Sequence, residues 1–494
     1  MLEQLPALQI VLPLIAAPLL VLLRRRLPVL LVAISVCWAS FAIALALLQR
    51  TLTEGTVVYA LGGWAPPWGI EYRIDTLGAF VLVLVTMIAA VVLSYAPRSL
   101  DLEIPSDRLH LFVAAYLLCM TGLLGIVITG DLFNVFVFLE VSALSSYVLI
   151  AMGKDRRALS ASFQYLVLGT IGATFMLIGI GLLYMMTGTL NMSDMAARLP
   201  EVMQTRTVMA GLGFFSIGLF IKMALFPLHI WLPNAYSYAP SMVTAFLAAT
   251  ATKVSVYVTL RFIFSVTSIR MEFGVSDLSW MLMALSLSGI VVASSVAIFQ
   301  TDVKRLLAYS SVAQIGYMVL GISFGTITGL TATIVHLFNH ALTKGGLFLA
   351  MGCFAWRLGV TNGSQLKHLA GAGRRMPWTS FAFVLGGLSL IGVPLTAGFV
   401  SKLYLIRGAL ELDVWPVAAL VLMSSLLAVV YVWRVVEVLY FSPSPEEAPT
   451  GEAPFSMLVG TWILIGGAIF FGIWTSGSAD IARRAAASLL SVVP

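Results

Sequence analysis

The chain has 494 residues, of which only 10% are charged and 60% are hydrophobic. Soluble globular proteins carry about 25% charged residues, so this composition excludes a soluble enzyme, a disordered scaffold and an ordinary nucleic-acid-binding protein. The excess charge is positive, with 28 Lys and Arg against 22 Asp and Glu, which is typical of basic cytoplasmic loops. The sequence therefore predicts an integral membrane protein in a lipid bilayer.

Fourteen apolar segments are long enough to cross a bilayer, since a spanning helix needs about 20 mostly apolar residues. They cover roughly residues 5–23, 27–48, 74–96, 109–129, 131–152, 160–186, 207–233, 241–265, 276–299, 305–325, 329–355, 379–407, 414–440 and 455–476. Together they predict an all-α polytopic membrane protein with about 14 transmembrane helices in a single membrane domain, residues 1–494.

Basic residues predict the orientation of these segments. The connections that follow odd-numbered segments, counted together with the segment ends next to them, hold 14 of the 28 Lys and Arg residues, against 9 on the opposite side. The positive-inside rule then places both termini on the outer face of the membrane.

Two segments are interrupted by proline. Segment 7 contains Pro227 and is predicted to end at Pro233, and segment 12 contains Pro394 followed by Gly398. Proline removes an i to i−4 hydrogen bond, and the freed backbone groups are tolerated in a bilayer only where protein or water satisfies them. Segments 7 and 12 are therefore predicted to be broken helices.

The two breaks lie five segments apart and predict two five-helix units, helices 4–8 (residues 109–265) and helices 9–13 (residues 276–440). A shift of five reverses the direction of each helix, so the units would be inverted repeats. Broken helices at matching positions of two halves point to a transport site. Residues 1–108 would then form the supporting helices 1–3, and residues 455–476 would form helix 14.

Ionisable side chains lie deep in several segments, where a charge costs about 2.5–3.5 kcal/mol and usually faces the bundle interior. Glu140 lies nine residues into its segment, about 14 Å along a helix, and hence near the midplane. Lys222 precedes Pro227, Lys253 is similarly deep, and Lys402 follows the break in segment 12. The alternatives are a carboxylate that serves packing alone and lysines that reach the surface.

Segment 11 carries His336, His340 and Lys344 at positions i, i+4 and i+8, hence on one face of a helix. Because histidine titrates close to neutral pH, such a stripe can pass protons along a hydrated path. A metal site and a structural hydrogen-bonded pair are the alternatives, and no carboxylate lies in the segment to complete a metal site.

No cofactor or metal is expected. Cys37, Cys119 and Cys353 form no C-x-x-C pair, and the phosphate-binding glycine motifs are missing from the sequence. Any electron transfer would therefore belong to other subunits.

Four stretches resemble the proton-conducting antiporter-like family, which includes the A and D subunits of the multisubunit Mrp cation/proton antiporters and three membrane-arm subunits of complex I. They read GDLFNVFVFLEVSALSSYVLIA, KMALFPLHIWLPNAYSYAPSMVTAFLAATATKVSVY, FQTDVKRLLAYSSVAQIGYMVLG and HLFNHALTKGGLFLAMG. The resemblance covers about residues 70–440. Within the family, the length and the stretch LNMSDMAARLP resemble the Mrp D subunit more than the longer Mrp A subunit or a complex I member.

The resemblance implies a proton relay. In this family a glutamate of helix 5 pairs with a lysine of helix 7, and a helix 8 lysine leads on to a histidine and lysine of helix 11. A lysine or glutamate of helix 12 follows. Carried over, the relay is Glu140, Lys222, Lys253, His336, His340, Lys344 and Lys402. The lysine on helix 12 departs from members that use glutamate, so their helix 12 mechanism is not transferred.

The predicted function is that of an ion transporter subunit, not an enzyme in itself, in a bacterial or archaeal cell (inner) membrane. It would move protons, coupled within a hetero-oligomer to export of sodium or another monovalent cation. Its expected partners are the other subunits, protons, monovalent cations and the lipid bilayer, and no nucleic acid. The alternatives are a proton-pumping subunit of a complex I or hydrogenase-type oxidoreductase, and a scaffold whose charges only hold the assembly.

Overall fold

The computed structural model describes residues 2–267, 276–359, 364–444 and 449–491, and most of them are helical. The helices are α1 (Leu5–Leu23), α2 (Arg26–Thr53), α3 (Thr76–Glu103), α4 (Leu109–Ile128), α5 (Leu132–Ala151), α6 (Arg156–Thr187), α7 (Met192–Val202), α8 (Arg206–Met223), α9 (Trp231–Tyr238), α10 (Ser241–Ala249), α11 (Ala251–Leu260), α12 (Asp277–Ile298), α13 (Val303–Ser323), α14 (Ile327–Leu358), α15 (Ala372–Arg375), α16 (Pro377–Ile391), α17 (Ala397–Glu411), α18 (Trp415–Tyr440), α19 (Phe455–Ile473) and α20 (Ser476–Ser491). A π-helical turn, Arg261–Val266, follows α11, and β1 (Val57–Ala60) pairs antiparallel with β2 (Glu71–Ile74).

Twelve helices within the described ranges are long and apolar enough to cross a membrane, which confirms the all-α polytopic class. They are α1 to α6, α8, the continuous stretch of α10 and α11, α12, α13, α18 and α19. The two remaining predicted segments coincide with α14, which carries the polar stripe, and with the pair α16 and α17, each 15 residues long. The count of fourteen crossings and the inverted repeat stay predictions.

Both ends of the described chain lie at the same end of the helix bundle as the β-hairpin. The Tyr59 hydroxyl of β1 donates to Oε1 of Gln4 at 2.8 Å, next to α1. Ser488 of the C-terminal helix α20 lines a cavity together with Arg73 of β2 and Met192 of α7. This end is called the termini face, and the other end is called the opposite face.

The inner helices are shielded by protein, whereas the peripheral ones expose apolar side chains. The apolar stretches of α3, α4, α10–α11 and α13 are 89–94% buried, against 33–44% for α1, α2, α6, α12, α18 and α19. Every residue of α14 from 329 to 355 is buried. Peripheral helices that are apolar on their exposed side are suited to lipid or to neighbouring subunits.

The structure contains both predicted helix breaks. Helix α8 ends at Met223, Ala224 has a left-handed φ of 59°, and α9 begins only at Trp231. Helix α16 ends at Ile391, and α17 begins at Ala397. Each break is thus a non-helical connection of several residues, not a kink at one proline.

One detail of the first break was predicted wrongly. Segment 7 does not end at Pro233, because Pro233 lies in the first turn of α9, which continues to Tyr238. Proline is tolerated there because the first amides of a helix have no intrahelical acceptor to lose.

A third break was not predicted. Segment 8 is divided at Thr250, where φ is −123° and ψ is −57°, into α10 and α11. The Thr250 hydroxyl donates to the Phe246 carbonyl at 2.6 Å, and such side-chain bonds compete with the regular helical pattern. Helix α11 is therefore a ten-residue piece between this break and the π-helical turn.

Gly398 allows the two halves of segment 12 to approach closely. A Cβ atom added at Gly398 would lie 1.8 Å from the Ser389 carbonyl oxygen. We expect Gly398→Ala to destabilise the fold by about 1–3 kcal/mol, the usual effect of overpacking. Thermal unfolding of the purified protein measures this, with Gly181→Ala in α6 as control because a Cβ there meets nothing within 4 Å. Equal stability of the two variants would contradict the close approach.

Candidate functional site

Glu140 and Lys222 form an ion pair inside the helix bundle. The Lys222 ammonium donates to Glu140 Oε1 at 3.1 Å; the Lys222 side chain is 4% exposed and the Glu140 side chain is 24% exposed. Lys222 lies in the last turn of α8, where the carbonyl ends of the helix favour a cation. Removing one partner of a buried pair leaves an uncompensated charge, which costs about 3–5 kcal/mol. The predicted partnership is therefore present in the structure.

A small polar cavity adjoins Lys222. It has a volume of about 30 Å³ and is lined from α4, α5, α6, α8 and α11, with hydroxyl groups from Ser142, Ser146 and Ser255. This volume holds about two water molecules, and the hydroxyls supply the polar partners that buried water needs. The Lys222 cavity thus gives the ammonium a place to exchange a proton with water.

Lys253 is fully buried in the first turn of α11. Its ammonium donates to the Ala248 carbonyl at the end of α10 and to the Thr252 hydroxyl at 3.3 Å. The break at Thr250 therefore turns the carbonyl end of α10 toward this lysine. Lys253 also lies close enough to His336, His340 and Lys344 to interact with them electrostatically.

The polar stripe of α14 lies at the centre of the bundle. The rings of His336 and His340 are nearly parallel, with centroids 5.8 Å apart. Lys344 donates to the Leu307 carbonyl at 2.6 Å and to the Ser310 hydroxyl. Both ring nitrogens of His340 and Nε2 of His336 have no hydrogen-bond partner among the described residues. Because buried polar groups are nearly always bonded to protein or water, we expect water beside these rings.

Lys402 is held by the first half of its own broken segment. Its ammonium donates to the carbonyls of Leu390 and Ile391 at 3.1 and 2.8 Å, and to the Ser425 hydroxyl at 2.9 Å. It also lies 5.0 Å from the centroid of the Tyr317 ring, a cation–π arrangement. The break between α16 and α17 thus presents carbonyl oxygens to an ammonium group.

Ser401 connects α17, the helix that carries Lys402, to His336 of α14. Its hydroxyl lies 2.7 Å from His336 Nδ1, and Ser401 is the neighbour of Lys402 in α17. Direct contacts therefore join Glu140 to Lys222, and His336 through Ser401 to the α17 turn that carries Lys402. Lys222 and Lys253 share no direct hydrogen bond among those that the structure describes, so a relay through both would need water between them.

Several polar residues near this path are not part of the predicted relay. Asp75, the cap of α3, pairs with Arg261 at the start of the π-helical turn. Glu103 is buried at the opposite face, where it accepts hydrogen bonds from the Ser241 amide at 2.9 Å and its hydroxyl at 2.7 Å. Lys304 is also buried and donates to the Ala239 carbonyl at 3.2 Å. In the sequence, Asp75 and Glu103 are recognisable only as acidic residues near the ends of a predicted helix, and an acidic residue in that position indicates by itself no more than a helix cap.

Loss of Ser425 tests whether Lys402 depends on its three oxygen partners. In Ser425→Ala the ammonium keeps two carbonyls but loses one acceptor in a buried site, which costs about 1–3 kcal/mol. We expect slower transport at normal membrane abundance. Ser286→Ala in α12 is the matched control, because this buried hydroxyl donates to the Met283 carbonyl of its own helix and is not among the hydrogen-bond partners of Lys402. A larger loss in the control would show that Ser425 does not serve the lysine.

Comparison with known proteins identifies relatives of the chain. The family model described as NADH:quinone oxidoreductase/Mrp antiporter, TM, matches residues 129–428. The N subunit of NADH-quinone oxidoreductase from Desulforudis audaxviator is 43% identical, with 96% of each chain covered. The D subunit of the Na(+)/H(+) antiporter from Alkalihalophilus pseudofirmus is 31% identical over 76% of this chain and 74% of the relative.

Two solved structures share the fold over nearly the whole chain. One chain of the Mrp complex from Dietzia sp. DQ12-45-1b superposes with a TM-score of 0.91 at 25% identity, covering 100% of this chain and 99% of that chain. One chain of the membrane-bound sulfane sulfur reductase, an archaeal respiratory membrane complex, superposes with a TM-score of 0.90 at 32% identity, covering 99% and 98%. The predicted resemblance is therefore confirmed at the level of both sequence and fold.

Proposed function

The chain belongs to the NADH:quinone oxidoreductase/Mrp antiporter transmembrane family, and from this premise we propose that it is a proton-translocating subunit of a multisubunit monovalent cation/proton antiporter. The ion pair of half-buried Glu140 with buried Lys222, beside a water-sized cavity, carries the proposal. An ionisable pair in the bilayer interior is costly and usually functional. Relatives named as the D subunit of Na(+)/H(+) antiporters support the same function.

Transfer begins when the Glu140–Lys222 pair separates. Away from the carboxylate, the buried ammonium of Lys222 loses its counter-charge, and desolvation then favours release of its proton. Water in the adjoining cavity takes the proton, and the neutral amine is recharged when the pair closes again. The ion pair thus acts as a switch between holding and releasing one proton.

Beyond Lys222, the proposed proton path consists of lysine and histidine side chains and contains no carboxylate. Lys253 is the next acceptor, followed by His340 and His336 on α14, with Lys344 on the same stripe. Neutral imidazole has one donor and one acceptor nitrogen, so it passes a proton by changing tautomer. Lys402 ends the path, where the carbonyls of α16 stabilise its charged form.

The chain is a multi-pass membrane protein, and we propose that both termini face outward in a bacterial or archaeal cell membrane. Connections at the opposite face include the basic residues Arg24, Lys154 and Arg156, as the positive-inside rule expects for the cytoplasmic side. The exposed apolar faces of the peripheral helices would contact lipid and the other subunits of the complex. Sodium or another monovalent cation would be exchanged by the assembled complex.

A redox-linked role is the second candidate. It is favoured by the 43% identity to the N subunit of NADH-quinone oxidoreductase, which exceeds the 31% identity to the antiporter relative described above. In that role the same relay would be driven by electron transfer in partner subunits. The relay chemistry is common to both candidates, whereas the source of energy differs.

Purifying the intact complex from its native membrane separates the two candidates. For an antiporter, we expect only membrane subunits to copurify, and added monovalent cations to move protons in sealed vesicles without an electron donor. Copurifying iron–sulfur or flavin subunits, together with proton movement that requires an electron donor, would instead establish the redox-linked role.

The central pair is tested by Glu140→Gln and Lys222→Gln in the full complex. Glu140→Gln keeps the shape of its side chain, and Lys222→Gln keeps a shorter polar side chain; each leaves the partner without its counter-charge, so we expect proton flux to fall by about tenfold or more. Flux is measured with a pH-sensitive dye in vesicles that contain equal amounts of the protein. Arg407→Gln and Glu411→Gln are matched controls because they break an ion pair of 2.8 Å that is largely exposed. Normal flux in either central variant would refute the pair's role.

The relay is tested at His340 with two substitutions. His340→Gln keeps a donor and an acceptor and should retain residual proton flux, whereas His340→Ala removes both and should abolish it. The measurement is the flux ratio of the two variants at equal abundance. Wild-type flux in both would show that His340 serves packing only, which would favour the scaffold interpretation of the buried charges.

A further inference from the structure

A second, larger cavity opens at the termini face. It has a volume of about 330 Å³ and lies between the β-hairpin, α7, the ends of α4 and α11 and the C-terminal helix α20. Its wall includes the Asp75–Arg261 ion pair, whose side chains are 15% and 16% exposed. This cavity, called the vestibule, is roomy and polar enough to be filled with water.

The vestibule and the Lys222 cavity are lined by the same three helices at successive turns. On α4, Leu123 lines the Lys222 cavity and Thr129, just past the end of the helix, lines the vestibule; on α5 the corresponding residues are Leu139 and Val135. Residues three or four positions apart on one helix lie one turn apart on the same face. The two cavities are therefore stacked along α4, α5 and α11.

Among the described residues, the two cavities have one apolar layer in common. Ile126 of α4 and Val258 of α11 line both of them, whereas Val254 lines only the Lys222 cavity and Arg261 lines only the vestibule. Ile126 and Val258 are almost completely buried. Hydrophobic constrictions between aqueous compartments close a path by excluding water.

We propose that Ile126 and Val258 form a hydrophobic gate through which Lys222 exchanges protons with the termini face by way of the vestibule. When water crosses this layer, it joins the Lys222 cavity to the vestibule. When the layer is dry, the proton on Lys222 has no route to that face. The gate rests on the proposed function, because its purpose is to control access to the Glu140–Lys222 pair.

The helix that carries Val258 is built to move as a short unit. Helix α11 lies between the break at Thr250 and the π-helical turn that begins at Arg261. Such irregular turns let a helical piece rotate without disturbing the regular bonds on either side, and π-bulges are frequent at functional sites. Arg261 ties the outer end of α11 to Asp75 of the α3 cap and to the Tyr257 hydroxyl at 3.0 Å.

The same helix also carries Lys253. The Lys253 ammonium is bonded to the Ala248 carbonyl across the break. A proton arriving at or leaving Lys253 changes this bond at one end of α11, and Val258 lies five residues further along the same ten-residue helix. Transfer from Lys222 to Lys253 would therefore change the contacts at one end of the helix that carries the gate residue Val258.

Cysteine accessibility tests the gate directly. In the full complex, the buried Cys37, Cys119 and Cys353 are replaced by alanine, and Ser255→Cys or Ser193→Cys is introduced to probe the Lys222 cavity or the vestibule. Sealed vesicles are treated with Ag⁺ from the termini side, and the remaining thiols are labelled with a maleimide after denaturation. We expect Ser193→Cys to react quickly and Ser255→Cys to react slowly.

Widening the gate should open the path. Val258→Ala is expected to raise the Ag⁺ reaction rate at Ser255→Cys by about tenfold or more, a change of about 1.4 kcal/mol, without altering the rate at Ser193→Cys. Val254→Ala is the matched control, because it removes the same atoms one turn away, outside the shared layer. An unchanged rate at Ser255→Cys in Val258→Ala, or an equal increase in Val254→Ala, would overturn the gate.

The test does not depend on the relay. Ag⁺ reactivity reports access to the thiol and proton flux reports the relay, so the two are measured separately, with Lys222 kept for the thiol experiment. Normal proton flux in Lys222→Gln would refute the proposed function whatever the thiols show. If proton flux is blocked in Lys222→Gln but Val258→Ala leaves the Ag⁺ reaction rate at Ser255→Cys unchanged, only the gate is refuted.

Discussion

A buried ammonium group requires compensation inside the bilayer, and the architecture of this protein follows from how that compensation is supplied. Lys222 has a carboxylate partner, Glu140. Lys253 and Lys402 are instead bonded to backbone carbonyls at the ends of α10 and α16. A carbonyl dipole stabilises a cation less than a full counter-charge does. Lysines served by carbonyls can therefore exist either charged or neutral, which a proton carrier needs.

This requirement explains why the helices are broken where they are. A continuous helix uses its carbonyls internally, and only the last turn of a helix has free acceptors. The breaks after Ala249 and Ile391 bring such last turns to the centre of the bundle, each beside one lysine. The break after Met223 serves a lysine of its own helix. Three irregularities that would be unstable in lipid are thus each tied to one charged group.

Sequence reasoning predicted the features that depend on composition and spacing. Long apolar segments predicted the helices, proline predicted the breaks near Pro227 and Pro394, and the family resemblance predicted the Glu140–Lys222 pair. The break at Thr250 has no proline or glycine signal in the sequence, and the hydrogen bond of its hydroxyl to the Phe246 carbonyl is visible only in the structure. The Asp75–Arg261 pair joins residues 186 positions apart, and no periodicity within one segment reports such a contact.

Proton transfer in one direction requires that the relay is never accessible from both faces of the membrane at the same time. In the proposed relay, the same short helix, α11, carries Lys253, the proton acceptor, and Val258, which lies between the Lys222 cavity and the vestibule. Because both residues lie on one ten-residue helix, a rotation of that helix would change occupancy of the relay and access from the termini face together. A charge at one end of α11 and an apolar layer at its other end are sufficient to couple them. The coupling needs no large domain motion, only a rotation between two turns that are already irregular.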